Sequence, residues 1–341
     1  MPLTAANLAT LGEIPISIRS TAFSNVYLRM DGTGVTATTG AGGGKVNCQF
    51  GAAAFEKFKV RPQADGSYAF ESAAFPKVYL RMDGSGVTAN LTDGGGKVNC
   101  QFGAGTLGPY EKFRAVAQAD GSFSFESAAF PKVYLRLNGA GLTSNANGGS
   151  GTVNCQFDAN GGIHEKFVLD LADQSVDFDM QHQEQTWWCW NAASVSVAKF
   201  YNRNAAWTQG LLANAEFARN DCVVDAGRES PCNWGRWPDG PLDKVGHFGE
   251  RLNNALTSMQ LATELAKPAP VVVNIAWRDG NGTIVGGHIV ALRGRSLRDG
   301  VEWVSVSDPW SGDSDMTYDN FRNRYPDNGL WNVSYKTRPQ G

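Results

Sequence analysis

The sequence predicts two domains of different class, an all-β trefoil over residues 1–174 followed by an α+β domain over residues 180–341. Three observations carry this. The first half repeats itself three times. Tryptophan is absent from that half and recurs from Trp187 onward. Beyond the repeats, one helical pattern precedes several strand-like runs, the order expected of an α+β domain.

The repeats come first. "NVYLRMDGTGVTA" at Asn25 returns as "KVYLRMDGSGVTA" at Lys77 and "KVYLRLNGAGLTS" at Lys132. Each is followed by "GKVNCQF" or "GTVNCQF" and then by "EKF". Short alternating runs such as "VYLRM", "KVNCQF" and "SYAFES" are separated by Gly, Asp and Asn turns, so each unit of about fifty residues reads as about four strands. "ISIRSTAF" near the start resembles "AFESAAF" and "SFESAAF". The N-terminal strand is therefore expected to complete the last unit and close a ring, as in a β-trefoil. A propeller of three blades would be unusual, and a solenoid needs atypical end caps. The "EKF" pattern is closer to the fascin-like branch of trefoils than to the ricin-type lectins, because the units contain no Gln-x-Trp triplet.

Cys48, Cys100 and Cys155 occupy equivalent places, and three equivalent thiols cannot all pair within one chain; they read as half-buried strand residues acting as small hydrophobes. Phe58, Phe113 and Phe167 read as core. Arg29, Arg81 and Arg136, with Asp31, Asp83 and Asn138, flank the turns and are candidates for three ligand pockets, with solvated turns as the alternative. Unit three differs by Asn138 and Thr152, which predicts two similar pockets and one altered one.

Charge and hydropathy exclude some functions. A formal charge of −3 over 341 residues gives no basic footprint for nucleic acid. No apolar stretch is long enough to span a bilayer, and the opening "MPLTAANLATLGEIPIS" lacks the basic and apolar regions of a signal peptide, so any export is expected to use no visible leader.

The second domain is expected to begin near Met180. "NAASVSVAKFYN" has helical spacing, with Ala192, Val195, Ala198 and Phe200 on one broad face, while "APVVVNIAW", "GGHIVALRG", "EWVSVSDPW" and "WNVSYKT" read as strands. In "QEQTWWCWNAAS", Cys189 falls at the start of that helix. Unsatisfied N–H groups and the positive end of the helix dipole favour a thiolate there. Acyl chemistry on a thiolate also needs a proton carrier and an oxyanion donor. His288 begins an apolar strand behind two glycines, one of them Gly287, that admit a substrate backbone. Asp308 ends the next strand, so neighbouring strands can present an imidazole and its orienting acceptor side by side. Trp310 stands two residues further on, placed to shield that hydrogen bond. Of the other histidines, His182 is the rival base but precedes the helix, and His164 and His247 lack such a setting.

Gln183, then Cys189-Trp190, then Gly287-His288, then Asp308-Pro-Trp310 together resemble a papain-like cysteine peptidase. The "QxxxxWCW" opening and the "GGH … DPW" ending are similar to the bacterial avirulence-effector peptidases. The resemblance implies Cys189 as nucleophile, His288 as general base and then acid, Asp308 as orienter, and Gln183 with the Cys189 backbone N–H as oxyanion hole. Trp190, Gly287 and Trp310 would then border the substrate cleft. Asp308 stands where plant papains place Asn, and Gln185 competes with Gln183 for the donor role. Cys222 and Cys232 have no Cys or His partners at zinc-ligand spacing and read as a small disulfide loop or two buried thiols. No metal or cofactor is expected.

The whole then reads as a cysteine endopeptidase carrying a trefoil that binds carbohydrate or protein, in an architecture that resembles mushroom chimerolectins. An effector, toxin or defence protein, extracellular or delivered to a host, fits that reading. The competing readings are a papain-fold acyltransferase or deamidase and a non-catalytic lectin.

Overall fold

The computed structural model describes residues 3–105, 107–225 and 227–341 and divides into two compact units, Met1–Ala172 and Asp173–Gly341. The strand Gln174–Ser175 pairs with Arg295 and Gly294 of the second unit, so the stretch between the two expected domains is partly built into the second.

Twelve strands form the first unit. In repeat one, Val26–Asp31 pairs with Gly44–Phe50, and Phe58–Pro62 with Tyr68–Ser72. Repeat two uses Val78–Asp83 with Lys97–Phe102 and Phe113–Ala117 with Phe123–Ser127. Repeat three pairs Val133–Asn138 with Thr152–Phe157. Its remaining hairpin is completed by the first strand of the chain: Ile16–Ser20 runs antiparallel to Phe167–Leu171, from Ile16 opposite Leu171 to Ser20 opposite Phe167. The unit is the β-trefoil that the repeats predict.

Its core explains the repeated motifs. Phe58, Phe113 and Phe167 are fully buried together with Cys48, Cys100 and Cys155. Each cysteine faces a glycine of another repeat: Gly44 pairs with Cys100, Gly151 with Cys48 and Gly95 with Cys155. A methyl group on Gly44, Gly96 or Gly151 would collide with the sulfur of Cys100, Cys155 or Cys48. "GKVNC", with "GTVNC" as its third copy, is thus one interlocking device used three times. Burial pushes these three thiols up to about 12, which makes them poor nucleophiles.

The second unit places helices before most of its strands. The helix Cys189–Tyr201 is followed by Gln209–Phe217, Asp239–Lys244 and Ser258–Ala266. An antiparallel sheet runs in the order Phe248–Leu252, Leu330–Thr337, Val271–Arg278, Ile284–Arg298, Val301–Asp308, Gly312–Thr317. The first helix packs into the core on every side rather than on one face: Trp190 through Ala198 are all buried. Its two buried serines do not break this rule, because Ser194 and Ser196 donate to the carbonyls of Trp190 and Ala192 at 2.7 Å, satisfying their hydroxyls within the helix.

Candidate active site

Three elements converge on one point. The helix Cys189–Tyr201 starts at Cys189, whose own N–H is among those a first turn leaves without an intrahelical acceptor. The strand Ile284–Arg298 carries His288, and Val301–Asp308 ends on Asp308. Ala291 is paired with Ser307. One step further along, Val290 stands beside Asp308, so His288, two residues on and on the same face, is its diagonal neighbour.

The contacts follow from that register. His288 Nε2 lies 2.9 Å from Asp308 Oδ1, which leaves the other ring nitrogen, Nδ1, open to Cys189, whose sulfur acts on the ring electrostatically. Burial disfavours a charged imidazole, but the bonds and charges of Asp308 and Cys189 outweigh it and push His288 up to about 9. Burial likewise opposes the charge on Asp308, and His288, Tyr325 and the Trp310 N–H overcome it, holding this carboxyl at about 2.

Asp308 is more thoroughly held than its motif suggested. Oδ1 also accepts from the backbone N–H of Trp310 at 2.7 Å and of Ser311 at 3.1 Å, and Oδ2 accepts from the Tyr325 hydroxyl at 2.5 Å. Tyr325, 6 % exposed, was missed in the sequence. Its only local signal is that it precedes a proline, and nothing in that points to a carboxylate seventeen residues away.

Several expected roles change. Trp190 is fully buried, donates its indole N–H to Trp234 O at 2.9 Å and packs edge-on against Phe217, so most of its ring belongs to the core while it still lines the cleft at Cys189. Trp310 is 57 % exposed, too open for its ring alone to shield the His288–Asp308 bond. Its backbone N–H serves Asp308 instead, and the aromatic neighbour of His288 is Trp277, with ring centroids 6.5 Å apart. Gln183 is buried and borders the cleft, yet its Nε2 donates to Gln185 O at 2.8 Å and Thr186 O at 2.7 Å. Both amide hydrogens are therefore committed, and exchanging the amide's O and N would set an oxygen against two carbonyl oxygens. Gln183 braces the turn before Cys189 in this state. Gln185 does not compete for the donor role, since its amide bonds Arg228 O and the Ser230 N–H. His182 is turned to Gln183 O and its ring lies tilted near that of Trp310, and His247 bonds Arg338 O.

Two clefts meet at Gly287. One, of about 430 Å³, is lined by Cys189 with Trp187, Trp237, Asn274, Ile284 and Gly286. The other, of about 580 Å³, is lined by His288 and Asp308 with Thr186, Trp277, Trp310, Met316 and Tyr325. Gly287 is needed bare between them: a Cβ there would press on Asn274 Oδ1 at 3.1 Å. Near the first cleft, Cys222 and Cys232 form a disulfide with Cα atoms 5.3 Å apart.

In the trefoil, the expected ligand residues are placed otherwise. Arg29, Arg81 and Arg136 are each 3 % exposed or less, because each is a buried ion-pair partner of the "EKF" glutamate: Glu56, Glu111 and Glu165 at 3.6 Å. Asp31, Asp83 and Asn138 are turn makers. Their Oδ1 atoms accept the N–H two residues on, at Thr33, Ser85 and Ala140, and Asp31 and Asp83 also hold Arg29 and Arg81. Around Arg81 these residues border a cleft of about 410 Å³, shared with Gly40, Gln101, Tyr110 and Glu111.

A comparison with curated proteins returns no match. Solved structures similar to the chain include the Polyporus squamosus lectin bound to Neu5Aca2-6Galb1-4GlcNAc, at 13 % identity over 90 % of this chain and 98 % of that one, with a TM-score of 0.40. The designed threefold-symmetric protein ThreeFoil is 15 % identical over 46 % of this chain and 97 % of its own, TM-score 0.35. A mosquitocidal holotoxin is 11 % identical over 50 % of this chain, TM-score 0.35, and the present chain spans only 20 % of its length. Residues 171–326, which contain Gln183, Cys189, His288 and Asp308, match the model of the family described as papain-like cysteine protease AvrRpt2, and the second unit is therefore similar to that family in fold.

Proposed function

We propose that the second unit is a cysteine peptidase, with Cys189 as nucleophile, His288 as general base and then acid, and Asp308 as the acceptor that fixes the ring. The observation that carries this reading is the His288 ring bonded to Asp308 where its cleft meets the cleft lined by Cys189, at Gly287. An extended chain laid across both clefts puts one carbonyl at the Cys189 sulfur. In the first step the thiolate adds to that carbonyl carbon, and the oxyanion takes the Cys189 backbone N–H. Imidazolium then protonates the leaving amine as the C–N bond breaks, leaving a thioester. In the second step neutral imidazole removes a proton from water, whose oxygen adds to the thioester carbon; the C–S bond then breaks, releasing the acyl group as a carboxylic acid and restoring the thiolate beside the imidazolium. Asp308 keeps the ring oriented through both steps and stabilises its charged form.

The trefoil is proposed as a binding module for glycans or proteins, with the cleft beside Arg81 as its ligand site in place of the three turns. The intact Cys222–Cys232 bond supports a working life outside a reducing cytosol, as an effector, toxin or defence protein acting on host proteins.

Reactivity tests the catalytic assignment. At pH 7, iodoacetamide should modify Cys189 at least ~100-fold faster than Cys48, Cys100 or Cys155, and His288→Ala should remove most of that difference. Equal modification of Cys189 and the trefoil thiols would contradict the assignment.

A further inference from the structure

We propose that the disulfide-closed loop Cys222–Cys232, with Asn233 and Trp234 that follow it directly, is a positioning clamp for the nucleophile, gripping the chain on both sides of Cys189 and setting where its sulfur stands. The inference rests on the peptidase reading of Cys189. The described residues of this segment form no helix or strand, yet they supply the partners for four of the five residues flanking the nucleophile. Gln185 donates to Arg228 O and accepts from the Ser230 N–H, both at 3.0 Å. The Trp187 N–H donates to Asn233 Oδ1 at 2.9 Å. The indole N–H groups of Trp188 and Trp190, immediately before and after Cys189, donate to Cys232 O and Trp234 O, each at 2.9 Å.

These bonds are obligatory rather than decorative. Trp188 and Trp190 are buried at 1 % and 0 % exposure, and a buried indole N–H left without an acceptor carries its full desolvation cost. The helix that begins at Cys189 has no side-chain cap at Trp188, so the chain entering it is held from the loop instead. Irregular backbone makes a poor anchor because ordering it is entropically expensive. The disulfide removes part of that cost, and Cys232 is both a bridge residue and the acceptor for Trp188. The loop is braced inside as well: Ser230 Oγ donates to Cys222 O at 2.9 Å and accepts from the Cys232 N–H at 3.1 Å. The bridged Cys222 and Cys232 carry no free thiol and the thiols of Cys48, Cys100 and Cys155 are buried, so thiol reagents reach the half-buried Cys189 first.

A bridge that merely adds stability would leave Cys189 reactivity untouched at temperatures where the protein is folded; a clamp would not. The test compares wild type, the double variant Cys222→Ala/Cys232→Ala, and Gln185→Leu, which keeps the bridge but loses one grip. Iodoacetamide modification of Cys189 is followed by peptide mapping from pH 5 to pH 10, alongside kcat and KM on a short peptide and a thermal melt. The clamp predicts that both variants remain folded at the assay temperature, that their modification rate at pH 7 falls by about 10- to 100-fold with the pH profile displaced, and that kcat falls far more than KM. If the double variant does not fold, Gln185→Leu decides. A folded variant with the wild-type profile and kcat overturns the clamp alone, whereas an unreactive Cys189 in wild type overturns the peptidase reading and the clamp with it.

Discussion

On Asp308 a single carboxylate serves His288, the N–H groups of Trp310 and Ser311, and the Tyr325 hydroxyl. Such saturation is why a buried acid stays ionised. The resulting pH dependence can be worked out group by group. Asp308, lowered to about 2, contributes stability that is complete above its ordinary value of 3.8 and is lost as pH falls through about 2. His288, raised to about 9, contributes stability that is complete below 6.5 and is lost as pH rises through about 9. Tyr325→Phe removes one donor to the carboxylate and should destabilise by about 1–3 kcal/mol. Thermal unfolding across pH 1–8 should show that gap constant above about pH 4 and closing as Asp308 protonates. A gap independent of pH would mean that Tyr325 acts through packing alone. In the sequence, Cys189 and Asp308 were legible because each stands at an element end, and His288, inside Ile284–Arg298, because two glycines precede it on an apolar run. Tyr325 was not, since its partner is reached only through the fold.

Elements were legible where pattern and burial coincide. The repeats declared the trefoil, and the strands Val271–Arg278, Ile284–Arg298, Val301–Asp308 and Leu330–Thr337 lie over apolar runs seen in the sequence. Phe248–Leu252 and Gly312–Thr317 escaped notice because each is an edge strand pairing on one side, so its exposed residues are polar, as in "GDSDMT". The roles of Arg29, Arg81 and Arg136 were misjudged for a different reason: "YLR" and "EKF" are separate motifs in the sequence, and only folding makes them one buried ion pair. The ligand expectation therefore moves from three turns to one cleft. On a glycan array followed by calorimetry, Tyr110→Ala should weaken binding at least ~10-fold, through loss of the ring bordering the cleft, while Asp31→Ala should leave it within about twofold. Loss in Asp31→Ala with none in Tyr110→Ala would return the site to the turns.

Across the whole molecule, one chain joins a threefold-repeated trefoil to a unit similar to a papain-like cysteine protease family. The division of labour was visible in composition alone, since repetition and tryptophan segregate into different halves. The chemistry of the second unit separates peptide hydrolysis from acyl transfer only at the product, because both begin with the same thioester. The decisive measurement is therefore on products: wild type and Cys189→Ala are each incubated with a host proteome, and new protein N-termini are mapped by mass spectrometry. New termini that cluster on a common local sequence and arise with wild type alone are the predicted result. Identical termini in both samples, or deamidated and transamidated side chains without new termini, would contradict a peptidase.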